Sequence, residues 1–222
     1  MKYNFGPANE GEGIVYGSER PGFDFHCVGA RDVSRWISFM RKNGIKRVCC
    51  LLTKEQLDFY DVDLLEEYRH EFGPRNVCSA GIPDCHLCDA ETLTGKILPF
   101  LRESDEKCEP VVVHCSGGSG RAGHILSAWL VHACGLSIDE ALSQVKWPRR
   151  NPLEAIIIGN ASMAQLRALL AKCQQGSAAL SRRAGHLSDV AAQDRPGHRP
   201  HARATRGVHR GGRTPIRPPG VK

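Results

Sequence analysis

Apolar positions recur along residues 1–174 in two rhythms. Val33, Trp36, Ile37 and Met40 stand at i, i+3, i+4 and i+7, one face of a helix, and Gly44 follows as a stop. Arg47-Val-Cys-Cys-Leu-Leu52 then reads as a short buried strand, and Thr53 with Gln56 fits a capping box that opens a new helix. Leu64, Leu65, Tyr68 and Phe72 make another stripe, closed by Gly73, and residues 76–82 look extended. Leu93, Ile97, Leu98 and Leu101 predict a helix that Pro99 should kink. Val111-Val-Val-His114 is β-branched and reads as a central strand. Ile125, Leu126, Trp129, Leu130 and Ala133 line a helix ending at Gly135. Ser137 with Glu140 forms a second capping box, and Leu166, Leu169 and Leu170 mark a last helix. Strands separated by helices predict an α/β domain with a small, mostly parallel central sheet flanked by helices.

Charge divides the 222 residues at the end of that pattern. Residues 175–222 hold ten of the thirty Lys and Arg and two of the twenty-four Asp and Glu, a net +8, against −2 for residues 1–174. The stretch 175–222 has no Phe, Trp or Tyr and is rich in Arg, Gly, Pro and His. It cannot bury enough apolar surface to offset its chain entropy, so a catalytic-sized domain over 1–174 and a disordered basic tail over 175–222 are expected. Either the tail attaches to nucleic acid or an acidic surface, or it is a solvated appendage. No apolar run reaches the ~20 residues that span a bilayer, and MKYNFGPANEGEG lacks the apolar segment of a secretion signal. Together with ten scattered cysteines, this places the expected setting in the cytoplasm, with mostly reduced thiols.

The stretch with chemistry begins where Val111–Val113 runs into His114-Cys-Ser-Gly-Gly-Ser-Gly-Arg121-Ala-Gly and a helical pattern takes over. A strand, a Gly-rich turn and a helix N-terminus make an anion site, because backbone N–H groups converge there and the helix dipole adds positive potential. Gly117, Gly118 and Gly120 let the turn curl tightly, so Ser116, Gly117, Gly118, Ser119, Gly120 and Arg121 are the expected phosphate-binding residues. Arg121 can hold two anion oxygens in a bidentate fork. Cys115 lies at the start of the turn, where positive surroundings favour the thiolate, a nucleophile toward phosphorus.

This segment resembles the Cys-x5-Arg signature of the protein tyrosine phosphatase superfamily, in its His-Cys-x-x-Gly-x-Gly-Arg form. Ile14-Val-Tyr-Gly-Ser-Glu-Arg-Pro-Gly22, Gly44-Ile-Lys-Arg-Val48 with Leu51-Leu-Thr53, Ser137-Ile-Asp-Glu-Ala141 and Arg149-Arg-Asn-Pro152 extend the resemblance to compact archaeal and bacterial dual-specificity phosphatases, over roughly residues 10–172. The resemblance implies a cysteine phosphatase-type fold and an enzyme that uses no metal or other cofactor. It also implies Cys115 as nucleophile, Arg121 as anion clamp, and His114 as a supporting residue that positions the loop. For the general acid it points to Asp84, in Gly81-Ile-Pro-Asp84 and 31 positions before Cys115, with Asp89 as the alternative. One departure stands out: Ala122 occupies a position where the family usually has Ser or Thr, whose hydroxyl assists the departing sulfur. Its loss should slow breakdown of the covalent intermediate.

The expected substrate is phosphotyrosine and phosphoserine or phosphothreonine on proteins. A low-turnover phosphate-binding module, or a phosphatase of RNA 5′-phosphates, lipid or glucan, stays open. Cys85-His-Leu-Cys88 is a lone C-x-x-C. Zinc, redox pairing with Cys115 (in which Cys50 also has a part) and plain packing are its readings, with packing favoured. Arg149 and Arg150 are expected at the site's rim or in a solvated turn.

Overall fold

The structure is a computed structural model that describes residues 2–23, 27–146 and 150–174. All of these fall in one compact unit, Met1–Gly185. The expected basic tail, Trp147 and Arg149 lie outside the described residues.

The elements run β1 (Gly6–Pro7), β2 (Val15–Glu19), α1 (Ala30–Lys42), β3 (Arg47–Cys50), α2 (Lys54–Leu57), α3 (Leu64–Phe72), β4 (Val77–Ser79), α4 (Ala90–Thr92), α5 (Leu98–Glu106), β5 (Val111–Cys115), α6 (Gly120–Ala133), α7 (Ile138–Gln144), α8 (Glu154–Ile157) and α9 (Met163–Ala171). The sheet order is β1-β2-β5-β3-β4. Only β1 is antiparallel to its neighbour, so the sheet is mostly parallel, as the alternation of strands and helices predicts. The strand read as central, β5, is flanked by β2, with Glu19 opposite Cys115, and by β3, with Cys50 opposite His114.

Because side chains alternate across a sheet, β5 feeds two cores. Val111, Val113 and Cys115 join the core built with α5, α6, α7 and α9. Val112 joins the one built with Val33, Trp36, Ile37 and Met40 of α1 and Leu64, Tyr68 and Phe72 of α3. The helix α6 is buried on nearly all sides, as its apolar run requires. Burying a side chain such as Leu126 or Trp129 contributes about 1.5–3 kcal/mol.

Local signals largely act as read. The Ser137–Glu140 capping box is formed, and Gln56 reaches back to the Thr53 N–H. Pro99 departs from expectation in an instructive way. It stands in the first turn of α5, where a missing N–H costs little, and the preceding residues Leu93–Ile97 widen into a π-helical turn. The predicted kink is thus realised as a change of helical register. Arg150 also departs. It is neither at an open rim nor solvated but 3% exposed, its Nη1 donating to Pro7 O at 3.0 Å and its Nη2 to Gly6 O at 2.8 Å and Gly17 O at 2.9 Å. A guanidinium fork clamps the β1–β2 pair to the turn before α8.

Candidate active site

The carboxyl end of a central parallel strand is where α/β sheets bind ligands, and Cys115 is the last residue of β5. The chain then curls through residues 116–119 into α6. Its carbonyls are tied away: Asn4 Nδ2 donates to Gly117 O at 3.0 Å and Gly118 O at 3.3 Å, and the Arg20 N–H donates to Ser116 O at 2.9 Å. Tying the carbonyls in this way leaves the N–H groups of the turn for an anion. Gly118 takes φ +66°, and a Cβ there would strike the backbone of Ser18 and Glu19. No other residue type fits that point of the curl.

Arg121 is 1% exposed. Its Nη1 donates to Gln56 Oε1 at 2.7 Å and Ile82 O at 2.9 Å, with Leu51 O at 3.4 Å. These contacts fix the plane of the guanidinium. Its Nε is buried without a hydrogen-bond partner, and its Nη2 is ion-paired with Asp84 Oδ1 at 2.8 Å. A buried donor left open is costly, and the Nε–Nη2 edge of a guanidinium matches two oxygens of a phosphate, for which the anion would take the place of Asp84 on Nη2.

Asp84 itself is 59% exposed, at the mouth of the site. The chain turns sharply after it: Cys85 adopts φ +56°, an unusual value for a residue with a side chain, and its carbonyl accepts from Asn160 Nδ2 at 3.0 Å. Asp89, the alternative acid, instead caps α4, accepting from the Thr92 N–H at 2.8 Å. Hydrogen bonding, chiefly that one, holds its carboxyl below the usual range.

His114 points to the opposite face of the sheet from Cys115. It is fully buried, edge-on to Trp36, with Nε2 3.2 Å from the Tyr68 hydroxyl. Burial, aided by the charges of Arg121 and Arg20, pushes its pKa down to about 3. Sequence reasoning gave His124 no role, yet its Nε2 accepts from the Cys88 N–H at 3.1 Å, and its Nδ1 lies 3.2 Å from Gly120 O. It therefore joins the loop end to the segment after Asp84, and burial pushes its pKa down to about 4.

Both rings are neutral in the folded chain, whereas a free histidine gains a proton near pH 6.5. Between about pH 3 and 6.5 for His114, and about 4 and 6.5 for His124, the unfolded chain binds more protons. Stability is therefore fully present above pH 6.5 and is lost as pH falls through that window, by at most ~1.4 kcal/mol per pH unit per histidine. Urea denaturation at pH 7 and pH 5 should give a lower midpoint at pH 5, and His124→Gln should shrink the difference.

A cavity of about 690 Å³ opens over the loop, lined by Ser116, Gly117, Ser119 and Gly120 below and by Asn4, Glu19, Phe23, Asp84, Cys85 and Glu154 around the mouth. Asn4, Phe23 and Glu154 had no sequence signal, and Gln56 signalled only a helix cap. Each comes from a distant segment, and only the fold unites them with the loop. Phe23 rests against Gly117, its backbone carbonyl held by Arg20 Nη2 at 3.3 Å. Among the described residues no cluster of His, Cys, Asp and Glu could hold a metal, and all ten cysteines are free. No helix among them is long and apolar enough to cross a membrane.

A mostly parallel sheet with a Cys-x5-Arg loop at the end of its central strand defines a dual-specificity-type domain of the protein tyrosine phosphatase superfamily. Residues 31–178 match the family model PTP-SAK, the Swiss Army Knife protein, DSP-PTPase phosphatase domain, and the chain belongs to that family. Among solved structures it is similar to the active form of Tk-PTP, with 25% identity and a TM-score of 0.53 over 76% of this chain and 99% of that one. Kinase associated phosphatase with its catalytic-site cysteine substituted by serine shares the fold at 18% identity, with a TM-score of 0.54 over 74% of this chain and 88% of that one. The PTP-2 phosphatase of Cydia pomonella shares it at 15% identity, with a TM-score of 0.51 over 76% and 88%. No curated protein sequence matches the chain.

Proposed function

We propose that residues 1–174 are the catalytic domain of a cysteine-dependent phosphatase whose substrates are phosphotyrosine and phosphoserine or phosphothreonine on proteins. The observation that carries this reading is Arg121, buried with its guanidinium at the head of a loop whose carbonyls are tied elsewhere and with Asp84 2.8 Å from its Nη2. Cys115 Sγ attacks phosphorus, and an S–P bond forms as the bond from phosphorus to the leaving oxygen breaks. Asp84 gives that oxygen its proton. Water then attacks phosphorus and returns a proton to Asp84, and the S–P bond breaks to release inorganic phosphate and the thiolate. Arg121 and the loop amides hold the equatorial oxygens throughout.

Cys115 is 2% exposed, so the phosphate must enter deeply to meet the sulfur. A tyrosine side chain reaches further than a serine, and Phe23, 44% exposed at the mouth, offers a wall for its ring. Phosphotyrosine is accordingly the preferred substrate. The ten free thiols suit a reducing compartment such as the cytoplasm.

The test is hydrolysis of p-nitrophenyl phosphate, competitively inhibited by vanadate, with a phosphotyrosine peptide turned over at least ~10-fold better than its phosphoserine counterpart. No hydrolysis, or hydrolysis indifferent to vanadate, would overturn the reading. Asp84→Asn should lower kcat for an alkyl phosphate by about 10²-fold. It should lower kcat far less for p-nitrophenyl phosphate, whose leaving group needs little protonation. An equal loss on both would remove Asp84 from the acid's role.

A second reading is supported by Ala122, wholly buried with Cys115 in one core and offering no hydroxyl to the sulfur. The chain would then release phosphate slowly. A burst of nitrophenol followed by a much slower steady rate is its signature.

A further inference from the structure

The floor and the mouth of the site carry opposite charge. Arg121, 1% exposed, and the amides of the curl provide for one phosphate dianion; its Nε has no hydrogen-bond partner and its Nη2 stands 2.8 Å from Asp84 Oδ1. Around them the ionisable side chains at the mouth are Glu19, Asp84 and Glu154, with Cys85, and no Lys or Arg lines it among the described residues. The arginines near the site, Arg20 and Arg150, are each 3% exposed and bound to main-chain carbonyls, so they present no guanidinium to an arriving molecule.

Glu154 is held in this position by the fold. It is the first residue of α8, and its carboxylate lies over Gly120 so closely that a Cβ there would collide with it. Gly120 is thus the residue that lets a carboxylate approach the lip of the anion cradle. Burial and the neighbouring charge of Asp84 raise the Glu154 pKa, as expected of acidic groups sharing one opening. Glu19, Asp84 and Glu154 thus bring three carboxyl side chains to one opening.

We infer that the chain selects phosphate esters whose surroundings are cationic, namely phosphotyrosine peptides with Lys or Arg beside the modified residue, and rejects polyanions such as multiply phosphorylated lipids and RNA ends. This inference rests on the phosphatase reading above. A single phosphate finds its positive partner at the floor. A second phosphate further out would meet the carboxyl groups of Glu19, Asp84 and Glu154, while a flanking Lys or Arg would be attracted to them. At the mouth, charges act across less than the screening length of about 8 Å at physiological ionic strength, and like charges brought together there oppose binding.

The experiment compares kcat/KM for two phosphotyrosine peptides that differ only in flanking Lys or Glu residues, alongside p-nitrophenyl phosphate, a phosphatidylinositol bisphosphate in a short-chain form, and a 5′-triphosphorylated RNA. The expected result is at least a ~10-fold preference for the Lys peptide at low salt, shrinking to about 2–3-fold at 0.5 M salt. Turnover of the lipid and the RNA should be at least ~100-fold below that of the Lys peptide. Glu154→Gln should cut the Lys-to-Glu peptide ratio about threefold or more, and Glu19→Gln provides the same reading independently should the first variant fold poorly. Equal use of both peptides, a preference for the Glu peptide, or RNA or lipid turnover matching the Lys peptide would overturn the inference while leaving p-nitrophenyl phosphate hydrolysis, and so the phosphatase reading, intact. Loss of p-nitrophenyl phosphate hydrolysis in the unaltered chain would overturn both.

Discussion

Cys115→Ser is expected to reduce p-nitrophenyl phosphate turnover by about 10⁴-fold or more, the scale on which removing a covalent nucleophile acts. An oxygen in place of the sulfur is a far weaker nucleophile toward phosphorus. The change is otherwise mild. The contacts that shape the loop run through Asn4, Gly118 and the Arg20 N–H, none of which involves the sulfur. Tungstate binding measured by calorimetry should therefore stay within a few-fold of the parent. A variant that keeps a tenth of the parent's turnover would exclude Cys115 as the attacking atom. One that loses tungstate binding as well would mean that the sulfur also organises the loop.

Arg121→Lys is expected to lower kcat/KM by about 10³-fold although the charge is kept, within the range seen when a transition-state clamp is removed. The guanidinium has two tasks that a point charge cannot share. Nη1 is committed to Gln56, Ile82 and Leu51, which orients the group, and the Nε–Nη2 edge, with Asp84 Oδ1 2.8 Å from Nη2, is the planar pair proposed for the anion. A lysine ammonium could satisfy one set or the other. Part of the loss should appear as weaker vanadate inhibition, because the analogue relies on the same fork. Unchanged vanadate affinity would assign Arg121 to structure rather than to the anion. Gln56→Leu offers a gentler version of this test, since Gln56 also donates from Nε2 to Ser116 Oγ at 3.3 Å and so couples clamp to loop.

The loop was legible in the sequence because its chemistry is local. Strand, glycines, cysteine and arginine lie within eleven consecutive positions, and each has a short-range physical reason. The helices were legible where apolar spacing met a stop glycine, as in α1, or where a capping box opened the helix, as in α7. What could not be read arises from tertiary contact. Glu154, Asn4 and Phe23 sit in segments with no pattern of their own. Arg150 looked like a surface charge because nothing in its neighbourhood announces that three carbonyls of β1 and β2 converge on it. The surroundings of Asp84 and Asp89 likewise could not be read: both precede Cys115 at similar distances, yet one carboxylate pairs with Arg121 and the other caps α4.

The central strand that ends in Cys115 is bonded to a neighbour along each side, and the residue after it is tethered through its carbonyl to Arg20. A sulfur mounted in this way has no slack and cannot swing outward to meet a bulky reagent. Covalent probes for this chain should accordingly be slim electrophiles that arrive end-on with an anionic head. Broad thiol reagents should modify the exposed Cys27, Cys108 and Cys134 long before the buried Cys115.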